Sequence, residues 1–343
     1  MKKSILILGA TGQVGKEISL VLKNQTVINT IFHARTRASA LFLINNNINT
    51  LVCDFTSDKL KKIINTVDLV VDLTLRDSGS LMESKKFYKS RIDYLSKFMK
   101  KNSKIILAST MDVLGLNKEN NKLKNYFFSR TIYASNKRFA EKIYKKITRK
   151  KSIDLFILRL SSVQGELQTS SKNTKQEILE GGTFYIPKTP AWIVFPYTIS
   201  EAILGILQGK AKPDTYMLTN DTIYWVDLLE YFSKNIKEKA KFDFVTEKNE
   251  RSIHKILIFL SNLITKDLIR ANIPLPNFFE SLFSYVKRDR NKIKINQKKI
   301  INSKIYKFNL YQGVLPGKRL DFVTKDKKII FDHQDLIIKD IIH

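Results

Sequence analysis

The chain of 343 residues contains a single cysteine, Cys53, and only four histidines. One cysteine excludes both an internal disulfide and a cysteine cluster that could hold a metal. We expect no metal site, because the histidines are scattered without the spacing of metal ligands. They are His33, His254, His333 and His343.

Long apolar runs are also missing. The two most apolar stretches of the C-terminal part, residues 253–268 and 278–286, are too short and too interrupted to cross a bilayer. They could lie on an anionic membrane as basic amphipathic helices, close a domain core, or form the face of a homodimer. The first residues, Met1-Lys-Lys, lead straight into an apolar segment without a cleavage site, so we expect a cytoplasmic protein, with peripheral membrane contact left open.

Carboxylates are scarce: 32 Asp and Glu face 60 Lys and Arg, which gives a net charge of +28 and a pI near 9.9. Such a balance attracts polyanions, but it also arises from the Lys-, Asn- and Ile-rich composition that an A·T-rich coding sequence produces. The basic residues are spread along the chain and not gathered in one arm. We therefore favour the compositional explanation and expect no nucleic-acid partner.

The most informative stretch is the first sixteen residues. An apolar segment from Ile5 to Leu8 meets three glycines, Gly9, Gly12 and Gly15, and an amphipathic pattern follows directly. This pattern predicts a strand, a tight turn and a helix. Glycines let the backbone approach a ligand closely, and the following helix start attracts anionic oxygens, so the turn predicts a dinucleotide diphosphate site.

Strand patterns alternate with helical patterns through the first half of the chain. Apolar segments end near residues 33, 55, 73, 108 and 158, and helical spacing lies between most of them. This alternation predicts an α/β fold with a Rossmann-type doubly wound parallel sheet.

The end of the second strand bears on the choice of cofactor. An acidic residue there would bind the adenosine ribose, whereas an arginine would neutralise a 2′-phosphate. The chain has Arg35 and Arg37 at this place, which favours NADP over NAD unless both arginines simply face water.

Three further residues have the chemistry of a proton relay. Thr110 ends the fifth strand, where sites in parallel sheets lie, and Tyr133 and Lys137 share one face of a predicted helix. A phenol is a poor base at neutral pH, but a nearby ammonium favours the phenolate. Tyr133 could then exchange a proton with a substrate alcohol or carbonyl, while Thr110 holds the substrate oxygen.

Four ordered segments, beginning at Gly9, Ser109, Tyr133 and Arg159, resemble the successive signatures of the extended short-chain dehydrogenases/reductases, the NAD(P)-dependent epimerase/dehydratase group. The resemblance covers residues 1–235. It implies a dinucleotide domain at 1–165, with a later strand and helix returning near 192–220, and a smaller C-terminal substrate lobe with a basic extension at 166–343. It implies that Thr110 orients the substrate oxygen, that Tyr133 is the acid/base, and that Lys137 tunes Tyr133 and binds the nicotinamide ribose. It implies further cofactor contacts at these residues: Thr11, Gln13, Val14, Asp54, Phe55, Leu73 and Thr74.

The sequence departs from that family in several places. Leu114 replaces a usual tyrosine, Asp72 stands at the start of a usual His-x-Ala run, and Ser200-Glu201 replaces an acidic pair. No asparagine lies near 88–91, where the family has one. The substrate class is therefore open. The resemblance also implies that residues 168–190 form a substrate loop, in which Gly181 and Gly182 supply flexibility.

These observations predict an enzyme that transfers a hydride at a secondary alcohol or ketone of a small molecule, by resemblance a nucleotide-linked sugar. We favour a reductase with exchangeable NADPH, because the end of the second strand is basic. A sugar-nucleotide epimerase or dehydratase that retains NAD is the alternative, and a non-catalytic cofactor-sensing or RNA-binding protein on the same fold is a further one.

Overall fold

The computed structural model describes residues 2–75, 81–117, 122–124, 132–244, 305–307 and 317–342. The central sheet has seven parallel strands: β1 (Lys3–Leu8), β2 (Ile28–Ala34), β3 (Thr50–Val52), β4 (Leu69–Asp72), β5 (Lys104–Thr110), β8 (Asp154–Leu160) and β12 (Thr215–Leu218). Across the sheet they follow the order β12-β8-β5-β4-β1-β2-β3. The order reverses between β1 and β4, which defines the switch point of a doubly wound sheet.

Helices cover both faces of this sheet, which is why its inner strands are apolar on both sides. One face packs against α1 (Gln13–Leu22), α7 (Pro196–Gln208) and the C-terminal helix α9 (Lys327–Ile342). The other face packs against α3 (Asp58–Thr66), α4 (Leu81–Phe98) and α5 (Ile132–Lys151). The short α2 (Arg37–Asn45) follows β2 and is capped by Thr36.

A third apolar cluster lies beyond the sheet and joins α6 (Thr169–Leu179), α8 (Trp225–Ile236) and part of α9. The remaining described strands form small sheets: β6 (Gly115–Asn117) with β7 (Lys122–Lys124), β9 (Ser162–Val163) with β11 (Ile193–Val194), and β10 (Thr183–Ile186) between β13 (Lys241–Phe244) and β14 (Ile305–Lys307).

The predicted Rossmann-type sheet is confirmed, but the expected loop at 168–190 is wrong. That segment contains helix α6 and strand β10, and Gly181 lies in the left-handed turn between them. The buried positions of α6 are Ser171, Thr174 and Ile178. Two of these three are hydroxyl residues, so the segment lacks the apolar periodicity by which a sequence reveals a helix.

The apolar stretches at 253–268 and 278–286 lie outside the described residues. Among the helices that the structure does describe, none combines the length and the apolar character that a membrane span requires.

Candidate active site

The glycine turn lies at the switch point of the sheet. Gly9 has φ +81°, and a Cβ there would lie 2.9 Å from the carbonyl carbon of Leu73. A Cβ on Gly15 would lie 2.4 Å from the carbonyl oxygen of Gly9, far inside contact distance. The packing of the turn itself therefore requires glycine at both positions.

Gly12 is different. Its φ is −75°, and a Cβ there would meet only the carbonyl oxygen of Gly9, at 3.4 Å. The protein's own packing does not require glycine at this position, so the missing side chain leaves space on the outer side of the turn. Helix α1 begins here without a side-chain cap and without an acidic residue in its first turn. Its free N–H groups suit an anion, so the turn fits a dinucleotide diphosphate.

Other predicted cofactor residues, from the ends of β2 and β3, also lie at the carboxyl edge of the sheet. Arg35 and Arg37 are exposed at the end of β2 and the start of α2, and Asp54 is exposed in the turn after β3. Phe55, in the same turn, packs against α4: the Arg91 guanidinium lies 4.2 Å from its ring centroid. The side chain of Gln13 is engaged elsewhere, since its amide donates to Thr169 Oγ1 at 2.7 Å.

Asp72 lies at the candidate site, although the sequence indicated it only as a departure from the family. It ends β4, is fully buried, and forms an ion pair with Arg91 at 2.8 Å. Its carboxylate also accepts hydrogen bonds from Tyr144 Oη at 2.5 Å and from the backbone N–H and hydroxyl of Thr74. Burial alone would raise the pKa of Asp72, but Arg91 and these hydrogen bonds lower it.

Lys137 lies next to this pair. Its Nζ donates to the carbonyl oxygens of Ala108, at 2.8 Å, and Thr74, at 3.3 Å. Burial lowers the pKa of Lys137 to about 8, although the Asp72 and Glu141 carboxylates act in the opposite direction. Lys137 therefore joins the end of β5 to Thr74, a predicted cofactor residue.

Helix α5 carries both Tyr133 and Lys137, and its next turn is fixed to the sheet by a second buried ion pair. Glu141 accepts from Arg159 at 2.7 and 2.9 Å and from the Ser109 hydroxyl at 2.7 Å. Because Ser109 precedes Thr110, this carboxylate ties the helix to the strand that ends in Thr110. We refer to Asp72, Arg91, Lys137, Glu141 and Arg159 as the buried charge network.

Thr110 forms the boundary between this network and a cavity of about 340 Å³. Its Oγ1 accepts from the backbone N–H of Asp112 at 3.2 Å, which leaves its O–H as a donor. Tyr133 and Lys137 are not among the described residues that line the cavity. Its wall includes Thr110, Asp112, Ser161, Ser162, Trp192 and Trp225, and we call it the tryptophan cavity.

The sequence indicated the candidate residues themselves, but it did not indicate the side chains that contact them. The carboxylate at Asp72 was visible as a departure at a strand end, where sites are expected. No signal linked it to Arg91, nineteen positions later. The second missed signal was composition: the chain has two tryptophans, and both line the same cavity.

Comparison with known proteins agrees with this architecture. A UDP-N-acetylglucosamine 4-epimerase from Bacillus cereus has a TM-score of 0.54 at 16% identity, covering 73% of this chain and 88% of its own. A UDP-glucuronic acid 4-epimerase from the same species, in complex with UDP-glucuronic acid and NAD, scores 0.53 at 15% identity, covering 83% and 99%. A dTDP-glucose 4,6-dehydratase from Bacillus anthracis, in complex with NAD, scores 0.53 at 15% identity, covering 84% and 97%. At these identities the likeness shows the fold.

Sequence comparison supplies the family. No curated protein has a significant sequence match to the chain. The NAD dependent epimerase/dehydratase family, however, matches residues 5–179, just over half of the chain and the part that carries the glycine turn, Thr110, Tyr133 and Lys137. The chain therefore belongs to the NAD-dependent epimerase/dehydratase family of enzymes.

Proposed function

We propose that the protein is an NAD-dependent epimerase or dehydratase of a nucleotide-linked sugar, in which the hydride removed from the substrate is returned in the same turnover. One observation carries the proposal: the glycine turn, Thr74, Lys137 and Thr110 lie together at the carboxyl edge of the sheet, around its switch point. The similar structures solved with NAD, two of them 4-epimerases and one a dehydratase, support the choice of chemistry.

The cofactor residues divide by the part of the dinucleotide that they would hold. The glycine turn and the start of α1 take the diphosphate, the ends of β2 and β3 take the adenosine, and the segment after β4 leads towards the nicotinamide. The residues assigned to these contacts are Gly9, Thr11, Gly12, Gln13, Val14, Gly15, Arg35, Arg37, Asp54, Phe55, Leu73, Thr74 and Lys137.

The reaction residues are Tyr133, Lys137 and Thr110. When bound, nicotinamide would supply the hydride acceptor. In the epimerase reaction, Tyr133 takes the proton of the reacting hydroxyl and returns it when the carbonyl is reduced again, so no net oxidation occurs. The ammonium of Lys137 favours the phenolate of Tyr133, and the O–H of Thr110 holds the substrate oxygen.

A second candidate is a reductase that uses exchangeable NADPH. Its support is the pair of exposed arginines, Arg35 and Arg37, at the end of β2, where a 2′-phosphate would be neutralised. The two candidates differ in whether the cofactor leaves the enzyme between turnovers.

The nucleotide content of the purified protein tests the proposal. We expect NAD that remains bound through purification, and turnover of a UDP-sugar or dTDP-sugar without consumption of added NADPH. Inversion at a sugar carbon, or loss of water, is then followed by NMR. An empty protein that consumes NADPH in proportion to substrate would establish the reductase instead.

The arginines are tested by calorimetry with NADPH and NADH. A preference for NADPH that is lost in Arg35→Ala supports the second candidate. Arg149→Ala is the matched control, because Arg149 is exposed at the far end of α5.

A further inference from the structure

The charge of the chain is distributed unequally over the two faces of the central sheet. Helices α1, α7 and α9, on one face, carry four cations and four carboxylates that are not buried. Helices α3, α4 and α5, on the other face, carry fourteen such cations and three such carboxylates. In the sequence these cations lie in three separate segments, which is why they look spread along the chain. The fold brings the three segments together.

We call the outer surface of α3, α4 and α5 the cationic face. Contacts between lysines and aromatic rings show that it is continuous from one helix to the next. Lys61 on α3 and Lys97 on α4 lie 5.0 and 5.4 Å from the ring centroid of Phe98. Lys85 on α4 lies 5.6 Å from the ring centroid of Phe139 on α5. The cations of neighbouring helices therefore share one surface.

Helix α5 has the strongest excess of positive charge. Lys142, Lys146 and Lys150 follow one another at the spacing of four that aligns side chains along a helix, and all three are exposed. Like charges at this spacing destabilise a helix, so exposed helix faces usually mix lysines with carboxylates. The one carboxylate of α5, Glu141, is buried. The helix dipole favours the cations of the last turn, 149–151, but it does not account for those before it.

The exposed lysines of α5 are not compensated by nearby carboxylates. Among the residues that the structure describes, no ion pair or hydrogen bond involves the side chain of Lys142, Lys146 or Lys150. Charge of one sign gathered on one surface repels itself and attracts a partner of the opposite sign. The cationic face is therefore suited to an anionic partner, and a second copy of the chain would bring like charges together.

The kind of cation favours a lipid surface over a nucleic acid. Twelve of the fourteen cations are lysines. Lysine carries a hydrated point charge on a flexible stem, whereas the planar guanidinium of arginine is preferred for nucleic-acid recognition. Clusters of such residues on a helix surface are typical of proteins that bind anionic lipids. Three neighbouring helices also present a broad layer, which suits an extended surface.

We propose that the cationic face binds anionic lipid headgroups and holds the enzyme at the surface of a membrane. The three lysines of α5 lie in the second half of that helix, whereas Tyr133 and Lys137 lie in its first two turns. The inference does not depend on which reaction the candidate active site catalyses.

Vesicle flotation with the full chain tests the inference. One set of vesicles is phosphatidylcholine alone, and the other is an equimolar mixture of phosphatidylcholine and phosphatidylserine. We expect binding to the anionic vesicles only, and weaker binding as the salt concentration rises, because salt screens the attraction. The triple variant Lys142→Gln, Lys146→Gln, Lys150→Gln should bind about 100-fold more weakly, since each lysine near an anionic surface contributes about fivefold.

A second triple variant, Lys172→Gln, Lys234→Gln, Lys328→Gln, is the matched control. These lysines are exposed on α6, α8 and α9, outside the cationic face, and their loss lowers the net charge by the same amount. We expect its binding to the anionic vesicles to stay close to that of the wild type. Thermal unfolding checks that both variants are folded.

Several results would overturn the inference. No flotation with the anionic vesicles at low salt would do so. Equal losses of binding in the two triple variants would show that total charge, and not the cationic face, drives the binding. Duplex DNA that binds through the three lysines of α5, without vesicle binding, would replace the lipid by a nucleic acid. A stable dimer in sedimentation, without vesicle binding, would replace it by a second copy of the chain.

Discussion

The two sides of Thr110 differ in the charged and polar side chains that they contain and in how these are paired. On one side, the buried charge network places two acidic and three basic side chains next to the predicted cofactor site, and of these five Arg159 is partly exposed. On the other side, the described lining of the tryptophan cavity has rings, hydroxyls and one charged residue, Asp112. The network therefore pairs each of its carboxylates with an arginine, whereas the Thr110 hydroxyl at the cavity wall keeps its O–H as a donor.

This difference indicates that paired charges suit the positioning of side chains, whereas a lined cavity suits ligand selection. A buried ion pair contributes little net stability, because desolvation offsets the attraction, but removal of one partner is costly. Charges that are mutually paired keep Lys137 and α5 in one geometry. A cavity selects among ligands through its shape and through the side chains that line it. Four predictions test this contrast, from the largest expected effect to the smallest.

The largest effect should come from Tyr133→Phe, which removes the proposed acid/base without changing the shape of the site. We expect kcat to fall by about 10²–10⁴-fold with little change in NAD binding. Steady-state kinetics and calorimetry measure the two quantities. Tyr216→Phe is the control, since it removes a hydroxyl outside the proposed site that donates to the Lys212 carbonyl at 2.7 Å. Equal losses of kcat in both variants would contradict the role of Tyr133.

Asp72→Asn should affect stability and the pH profile together. It leaves Arg91 buried without its counter-charge, which costs about 3–5 kcal/mol of unfolding free energy. Because the pKa of Asp72 is lowered in the fold, this contribution is present above the ordinary aspartate pKa and is lost as the pH falls. Denaturant unfolding at several pH values measures it.

The same substitution removes a charge that raises the pKa of Lys137. That pKa should fall below about 8, and the basic limb of the kcat–pH profile should move to lower pH. Asp68→Asn is the control: Asp68 forms a half-exposed pair with Lys100, and its loss should cost about 1 kcal/mol or less. If Asp72→Asn is active and its kcat–pH profile is not shifted, the prediction that the Asp72 charge raises the pKa of Lys137 is wrong.

The glycine turn offers a matched pair of substitutions. In Gly15→Ala the new methyl collides with the backbone of Gly9 and Ala10, so we expect a loss of about 1–3 kcal/mol of stability. In Gly12→Ala nothing in the protein is displaced, so the fold should persist while NAD affinity falls by roughly tenfold. Thermal unfolding and calorimetry distinguish the two, and a folded Gly12→Ala with full NAD affinity would remove Gly12 from the site.

The smallest effect concerns Glu17, a buried carboxylate on α1. It accepts hydrogen bonds from Leu167 N–H and from the amides of Gln168 and Gln334, yet burial raises its pKa above the ordinary value. The native state then gains a proton before the unfolded state as the pH falls. As the pH falls from 7 towards the ordinary glutamate pKa, the unfolding free energy of the wild type should therefore rise relative to that of Glu17→Gln. A difference in unfolding free energy between the two proteins that stays constant over this pH range would contradict the prediction.

The sequence predicted the elements whose signals are local. The glycine turn and the register of Tyr133 and Lys137 follow from spacing within a few residues, and the parallel sheet follows from the alternation of apolar segments. Helix α6 was missed for the same reason, since its buried Ser171 and Thr174 hide the apolar period. The assigned roles of the site residues remain predictions.

The sequence by itself therefore determined the type of sheet, the turn that suits a diphosphate, and the helix face that pairs a phenol with an ammonium. Steric limits on backbone angles and the period of the helix act between residues that are close in sequence, so a short segment is enough to determine these features. Only the tertiary structure decided that Asp72 meets Arg91 and Tyr144, and that Trp192 and Trp225 share a cavity with Asp112. Those contacts join residues far apart in the chain, and packing of whole elements sets them.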